Sequence, residues 1–374
     1  MGNDLKTISF LVGNGFDIAI LKALKSKHTT TYAEFYDYIN WNKSDNNEFC
    51  KSINENISDW SDFEKALTKK INEQIKKLYS VSFEQADLAY KKLIRDWDEI
   101  QLLFSDFLNE VIPPILLKKA GNINGMNSKT MFLGDLSRED LKKLRFRVKQ
   151  HDFLEYNVVN FNYSTLLDNY LTADEDPFPY STSKNNLILK WPDVTKFREI
   201  FTRSKTRVFH PHGLLSIPSS IKFGNSENEI RYKASEVMQN QIQYRPEKLR
   251  KKLNKAYWYQ NNPEMKTFIE KTDLFVIYGL GIGETDRWWW ELVAKNIVDN
   301  QSEAIIYSYK TEEQEQNVSE KLEGYVVNYI RNKVSQDGKI NGFLIEDFVT
   351  LSKNKISVIE FDDTNKLKYG FNFD

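Results

Sequence analysis

The chain of 374 residues is 40 % hydrophobic, 28 % charged and 14 % aromatic, with a net charge of −1. This excludes a disordered or strongly nucleic-acid-seeking chain and suits a globular protein of about two domains or one elaborated α/β domain. The single cysteine, Cys50, excludes a disulfide framework and a multi-cysteine zinc site, and with no leader-like or membrane-length apolar run the reading is a cytoplasmic protein.

The first strand, Ile8 to Val12, stops at Gly13-Asn14-Gly15, and a helix is expected from Asp17 to about Lys27. Strand, glycine turn, helix is the order that carries backbone N–H groups toward a phosphate. Tyr32 to Trp41 then shows an aromatic stripe at helical spacing, and Trp60-Ser61-Asp62-Phe63-Glu64 opens another helix. Val81 to Val111 reads as continuous helix up to Pro113-Pro114, and Arg138 to Gln150 as a basic helix. Residues 31–150 thus read as a helical insertion in an α/β core made of 1–30 and 151–374.

Strand character returns at Tyr156 to Phe161, Leu187 to Trp191 and Arg207 to His210. A polar helical stretch, Ala234 to Tyr257, precedes a strong strand, Leu274 to Tyr278, which runs into Gly279-Leu280-Gly281-Ile282-Gly283. Ala304 to Tyr307 and Ile356 to Phe361 are the last strands, with helices at Glu312 to Arg331 and Gly342 to Leu351. The alternation predicts a mainly parallel sheet with helices on both faces. Four motifs each follow a strand: Gly13-Asn14-Gly15, Asn160-Phe161-Asn162, His212-Gly213 and Gly279 to Gly283. In a doubly wound sheet such strand ends converge on one crevice.

LVGNGFD with TTYAEF, then WSDFE, NFNYS, HPHG and YGLGIGETD, in that order, resembles the bacteriophage abortive-infection AbiH family. That family is in turn similar to sirtuin-like NAD-binding proteins, which carry a Gly-Ala-Gly-Ile-Ser turn, a Thr-x-Asn-Tyr-Asp segment, a His-Gly pair and a late glycine turn. The resemblance implies a Rossmann-like NAD pocket and phage defence by harming the infected cell, with NAD as substrate or ligand. By the same resemblance, Asn162 holds ribose and attacking water, and His212 is the base toward the ribose hydroxyls. Gly13, Asn14 and Gly15 match the phosphate-cradling turn and Gly279 and Gly281 the distal glycines along the dinucleotide, with Phe16, Asp17, Tyr163 and Asp286 as further cofactor-binding candidates. Two departures from the pattern matter: Ser164 stands where it has aspartate, and Asn14-Gly15-Phe16-Asp17 replaces its Ala-Gly-Ile-Ser, which puts an acid, Asp17, close to where phosphate would lie. Asp17 would repel phosphate unless it turns away to cap its helix or bind a ribose hydroxyl.

Cleavage of the nicotinamide N-glycosidic bond passes through an oxocarbenium-like ribose, so an orienting amide and a near-neutral histidine suffice. Each candidate also has a structural reading. Asn162 fits an Asx turn, His212 a turn, Asp17 and Asp286 helix N-termini, Glu64 a first-turn acid, and Trp288-Trp289-Trp290 a packed helix. His28 and His151 lack partners at metal spacing, so no metal is expected. The partners expected are a nucleotide, a phage-derived trigger and a second copy of the chain, with no membrane. A non-catalytic nucleotide sensor is the alternative. So is a nucleic-acid-directed toxin using the basic stretches Lys142 to Arg147 and Arg245 to Lys255, which solvated helix faces explain at least as well.

Overall fold

The computed structural model describes residues 4–42, 46–53, 60–78, 81–123, 125–172, 185–193, 196–223, 252–253, 255, 262–310, 318–333, 339–340 and 343–373. The first strand, β1 (Leu5–Val12), is buried on both faces from Thr7 onward, as its unbroken apolar run requires. It is followed by α1 (Asn14–Ala23), α2 (Tyr32–Trp41), α3 (Trp60–Leu78), α4 (Phe83–Val111), α5 (Pro114–Gly121), α6 (Met126–Thr130) and α7 (Arg138–Lys143). Next come β2 (Phe153–Asn160), α8 (Leu166–Thr172), β3 (Asn185–Pro192), β4 (Phe197–Phe209), α9 (Pro263–Glu270) and β5 (Leu274–Tyr278). The chain continues with α10 (Arg287–Asp299), β6 (Glu303–Tyr309), α11 (Val318–Asn332), the ribbon β7 (Lys339–Ile340) and β8 (Phe343–Leu344), α12 (Ile345–Lys353) and β9 (Ile356–Phe361).

Among the described residues, seven strands form one sheet in the order β3-β4-β2-β1-β5-β6-β9. All its pairings are parallel except β3 with β4, which form an antiparallel edge hairpin. Side chains alternate across the sheet and make two cores. On one face Ile8, Phe10, Val12, Tyr156, Val158, Val276 and Tyr278 pack with the helices of residues 32–143 and with α8. On the other, Leu11, Val159, Phe275, Ile277 and Ile306 pack under α10 and α11, where Trp289 and Trp290 are buried. Strand order reverses at β1, which lies between β2 and β5, so a crevice opens where their carboxyl ends diverge.

Several expected boundaries move for physical reasons. The first helix ends at Ala23 because Lys25 takes φ 54°, with Lys25 N–H donating to Lys22 O and Ser26 N–H to Leu21 O. That is a Schellman end, with lysine where glycine is usual. The α4 helix has the expected extent, opened by a Ser82–Gln85 capping box. The basic helix expected to reach Gln150 stops at Lys143, because the Glu303 carboxylate takes the Arg145 and Phe146 N–H groups. The strand expected at Arg207 to His210 is the end of the longer β4, and α9 occupies a stretch to which the sequence assigned no element. Most of the helix expected over Ala234 to Tyr257 lies outside the described residues, as do residues 312–317 of the helix expected from Glu312.

Candidate functional site

The crevice at the switch point has a volume of about 1130 Å³. Gly13, Asn14, Asp17, Asn162, Tyr163, His212, Gly279, Gly281 and Asp286 all line it. They come from the ends of β1, β2, β4 and β5, so residues far apart in sequence share one hollow. Gly15 and Phe16 do not line it. Phe16 is fully buried among Tyr170, Tyr278, Phe371 and Phe373.

The two glycine turns are sewn together. Gly13 N–H donates to Tyr278 O (3.0 Å) and Gly15 N–H to Gly279 O (3.0 Å). A Cβ on Gly15 would stand 2.6 Å from Gly279 Cα, and Gly279 itself takes φ 66°. Glycine is thus demanded by backbone contact and by conformation. Asn14 turns its amide to the loop after α1, donating to Thr30 O (2.9 Å) and accepting from Thr30 Oγ1 (2.5 Å).

Behind this seam lies a polar network. Asp17 is buried and makes no cap; its carboxylate accepts from Asn162 Nδ2 (2.9 Å) and Ser164 Oγ (2.6 Å). Burial pushes the Asp17 carboxyl up to about 7, with the Ser164 bond pulling it back. The Asx turn at this strand end is closed by Asn160, whose Oδ1 accepts from Asn162 N–H (3.0 Å). Asn160 Nδ2 also donates to Asp168, which holds His210 Nε2 at 2.8 Å.

The opposite wall carries a second buried cluster. His212 Nε2 lies 3.0 Å from Asp286 Oδ1, and the ring also hydrogen-bonds the Phe161 backbone. Lys255 Nζ reaches Asp286 Oδ1 (3.0 Å) and both oxygens of Glu64 (2.8 and 3.1 Å). Burial and the Lys255 charge push the His212 imidazole below its ordinary value, against the pull of Asp286. Burial pushes the Glu64 carboxyl up to about 7, although Lys255 opposes it. Burial also disfavours the charged forms of Asp286 and Lys255, but their partners override it: Asp286 is held low by Lys255 and His212, and Lys255 high by the two acids. Beside them, burial and the Glu64 and Asp286 charges raise the Tyr163 phenol well above its usual range; its hydroxyl donates to Lys222 O (3.0 Å).

Asp286 therefore acts through its side chain on His212 and Lys255 and makes no helix cap. Glu64 read as a first-turn acid, yet α3 carries it into the crevice wall, 7 % exposed. Lys255 gave no signal of its own, being one cation in a basic stretch. Among the described residues no group of three or more His, Cys, Asp or Glu side chains converges as metal ligands, and no single helix is long and apolar enough to cross a membrane.

A mainly parallel sheet whose strand ends meet over a glycine-walled crevice lined by buried acids, a histidine and a lysine defines an α/β protein with an open hollow at its switch point. The profile of the family described as bacteriophage abortive infection AbiH matches residues 9–309, which contain every site residue named above, and the chain belongs to that family. Membership ties it to abortive-infection defence against bacteriophage. No curated protein matches the chain.

Proposed function

We propose that the protein is an NAD-consuming nucleosidase, acting in abortive infection by cleaving the bond between nicotinamide and ribose. The observation that carries this reading is that Asn162 and His212, from separate strand ends, line the same crevice as the glycine turns. Counting the parallel strands alone, the sheet runs third-second-first-fourth-fifth-sixth, the order of Rossmann dinucleotide-binding sheets.

The chemistry needs little from the protein. Nicotinamide leaves as a neutral molecule carrying the C1′–N electron pair, so no acid is required. Water then adds to C1′ and gives up one proton. Asn162 Nδ2 donates to Asp17, which fixes the side chain and leaves its carbonyl oxygen to accept from water or a ribose hydroxyl. His212 takes the proton. Orientation and fixed dipoles supply the rate.

One observation favours the sensor reading: His212 is engaged both by Asp286 and by the Phe161 backbone, so it must release a partner before acting as a base. The test is release of nicotinamide from NAD by the purified full chain, with Asn162→Ala and His212→Ala expected to abolish it in folded protein. Turnover unchanged by both substitutions overturns the assignment. Binding of NAD without nicotinamide release would favour the sensor.

A further inference from the structure

We propose that Glu64, Lys255 and Asp286 form with His212 one charge-coupled unit, in which Glu64 sets how readily His212 takes a proton. The inference rests on the nucleosidase reading for its consequence in catalysis, but the unit itself is a matter of geometry. Glu64 comes from α3, Asp286 from the short turn after β5 and His212 from the loop after β4, while Lys255 stands between the two acids. Each link is a hydrogen-bonded contact of 2.8–3.1 Å, and Lys255 is 1 % exposed.

Charge balance makes the coupling unavoidable. Lys255 is held as an ammonium and Asp286 as a carboxylate, so those two cancel. Glu64 and His212 are left, and a buried unit is neutral only when they carry one ionisable proton as protonated Glu64 with neutral His212, or as Glu64 carboxylate with imidazolium. Removing that proton leaves one net negative charge away from water, which draws a proton back. This is the state from which His212 is a competent base, and its titration belongs to the pair. The groups facing His212 are Asp286, Lys255 and the Tyr163 phenol, with Glu64 linked to it through Lys255, and the phenol stays neutral in the working range.

Glu64→Gln keeps the shape and an oxygen for Lys255 but deletes the charge. The unit is then already neutral with His212 unprotonated, and protonating His212 leaves a buried positive charge. Lys255→Gln has the opposite sign. A merely structural Glu64 would move neither.

The test is NMR titration of the four histidines in the full chain, with His212 assigned by His212→Gln. Glu64→Gln should lower the His212 midpoint by about one unit, Glu64→Asp should restore most of it, and Lys255→Gln should raise it. In the NAD assay, Glu64→Gln should lower kcat with KM little changed and carry the acidic limb to lower pH. A His212 midpoint unmoved in folded Glu64→Gln, or unmoved in Lys255→Gln if only that variant folds, overturns the proposal. Absence of NAD turnover would instead overturn the nucleosidase reading, leaving the titration result to stand alone.

Discussion

Ser164 Oγ donates to Asp17 Oδ2 at 2.6 Å, and the other oxygen of the same carboxylate accepts from Asn162 Nδ2. Both residues are among the positions at which the motifs depart from the sirtuin-like pattern they resemble, and they touch. Where that pattern has serine after the glycine turn and aspartate after Asn-Tyr, this chain has aspartate and serine. Relative to the pattern the motifs resemble, the pair keeps one acid and one hydroxyl behind Asn162 with their places exchanged.

Compensation predicts a double-mutant result. Asp17→Ser leaves Asn162 without its acceptor, and Ser164→Asp sets two buried acids against each other. Each alone should lose stability and nicotinamide release. The double exchange should recover part of both, with a coupling of about 1–3 kcal/mol in urea unfolding. Additive losses would show that the contact carries no specific pairing.

Asp17 also predicts how stability depends on pH. Its folded value, about 7, lies above the ordinary aspartate value, so the native state holds the proton more tightly than the unfolded chain. The resulting stabilisation is complete below about pH 4 and is lost as pH rises through about 7. Glu64, raised in the same direction, adds a parallel loss. Asp17→Asn should flatten the decline in unfolding free energy between pH 5 and 7, removing up to about 1.4 kcal/mol per pH unit. An identical slope in wild type and variant would contradict the buried-acid account.

The glycines separate backbone demand from ligand demand. Gly15→Ala drives a Cβ into Gly279, and should cost about 1–3 kcal/mol as an overpacked contact. Gly281 has nothing within 4 Å of an added Cβ, so Gly281→Ala should leave the unfolding midpoint within about 0.5 kcal/mol of wild type. If Gly281 borders a bound dinucleotide, the same variant should weaken NAD binding in calorimetry. Equal destabilisation by both substitutions would refute the distinction.

Much of this was legible in the sequence because local signals and tertiary need agree. The apolar runs of β1 and β5, the glycines that stop them and the Ser82 to Val111 helix follow from composition and spacing alone. Strand ends at a switch point can be foreseen to converge, and residues from all four motifs do line one crevice. What could not be read was pairing across the fold. Asp17 and Asp286 sit where helix-capping acids belong, and only the approach of Ser164, Asn162, His212 and Lys255 gives them other partners. Glu64 and Lys255, 191 residues apart, meet only after the helical block folds against the sheet.

Glu303 is the sharpest case of a long-range contact overruling a local pattern. Arg138 to Gln150 has the charge and spacing of a helix, yet the backbone leaves helical geometry after Lys143 and gives its next free N–H groups to the Glu303 carboxylate, 4 % exposed at the start of β6. An acid that accepts from Arg145 and Phe146 supplies the hydrogen bonds those groups would otherwise seek from the preceding turn. Glu303→Ala should therefore strand one buried donor, Phe146 N–H, and one part-buried donor, Arg145 N–H, and destabilise the fold by about 2 kcal/mol in chemical unfolding. Glu303→Gln, which retains one acceptor oxygen, should lose about half as much. Hydrogen exchange at Arg145 and Phe146 reports the same bonds directly, and protection that persists in Glu303→Ala would show that the helix ends there for some other reason.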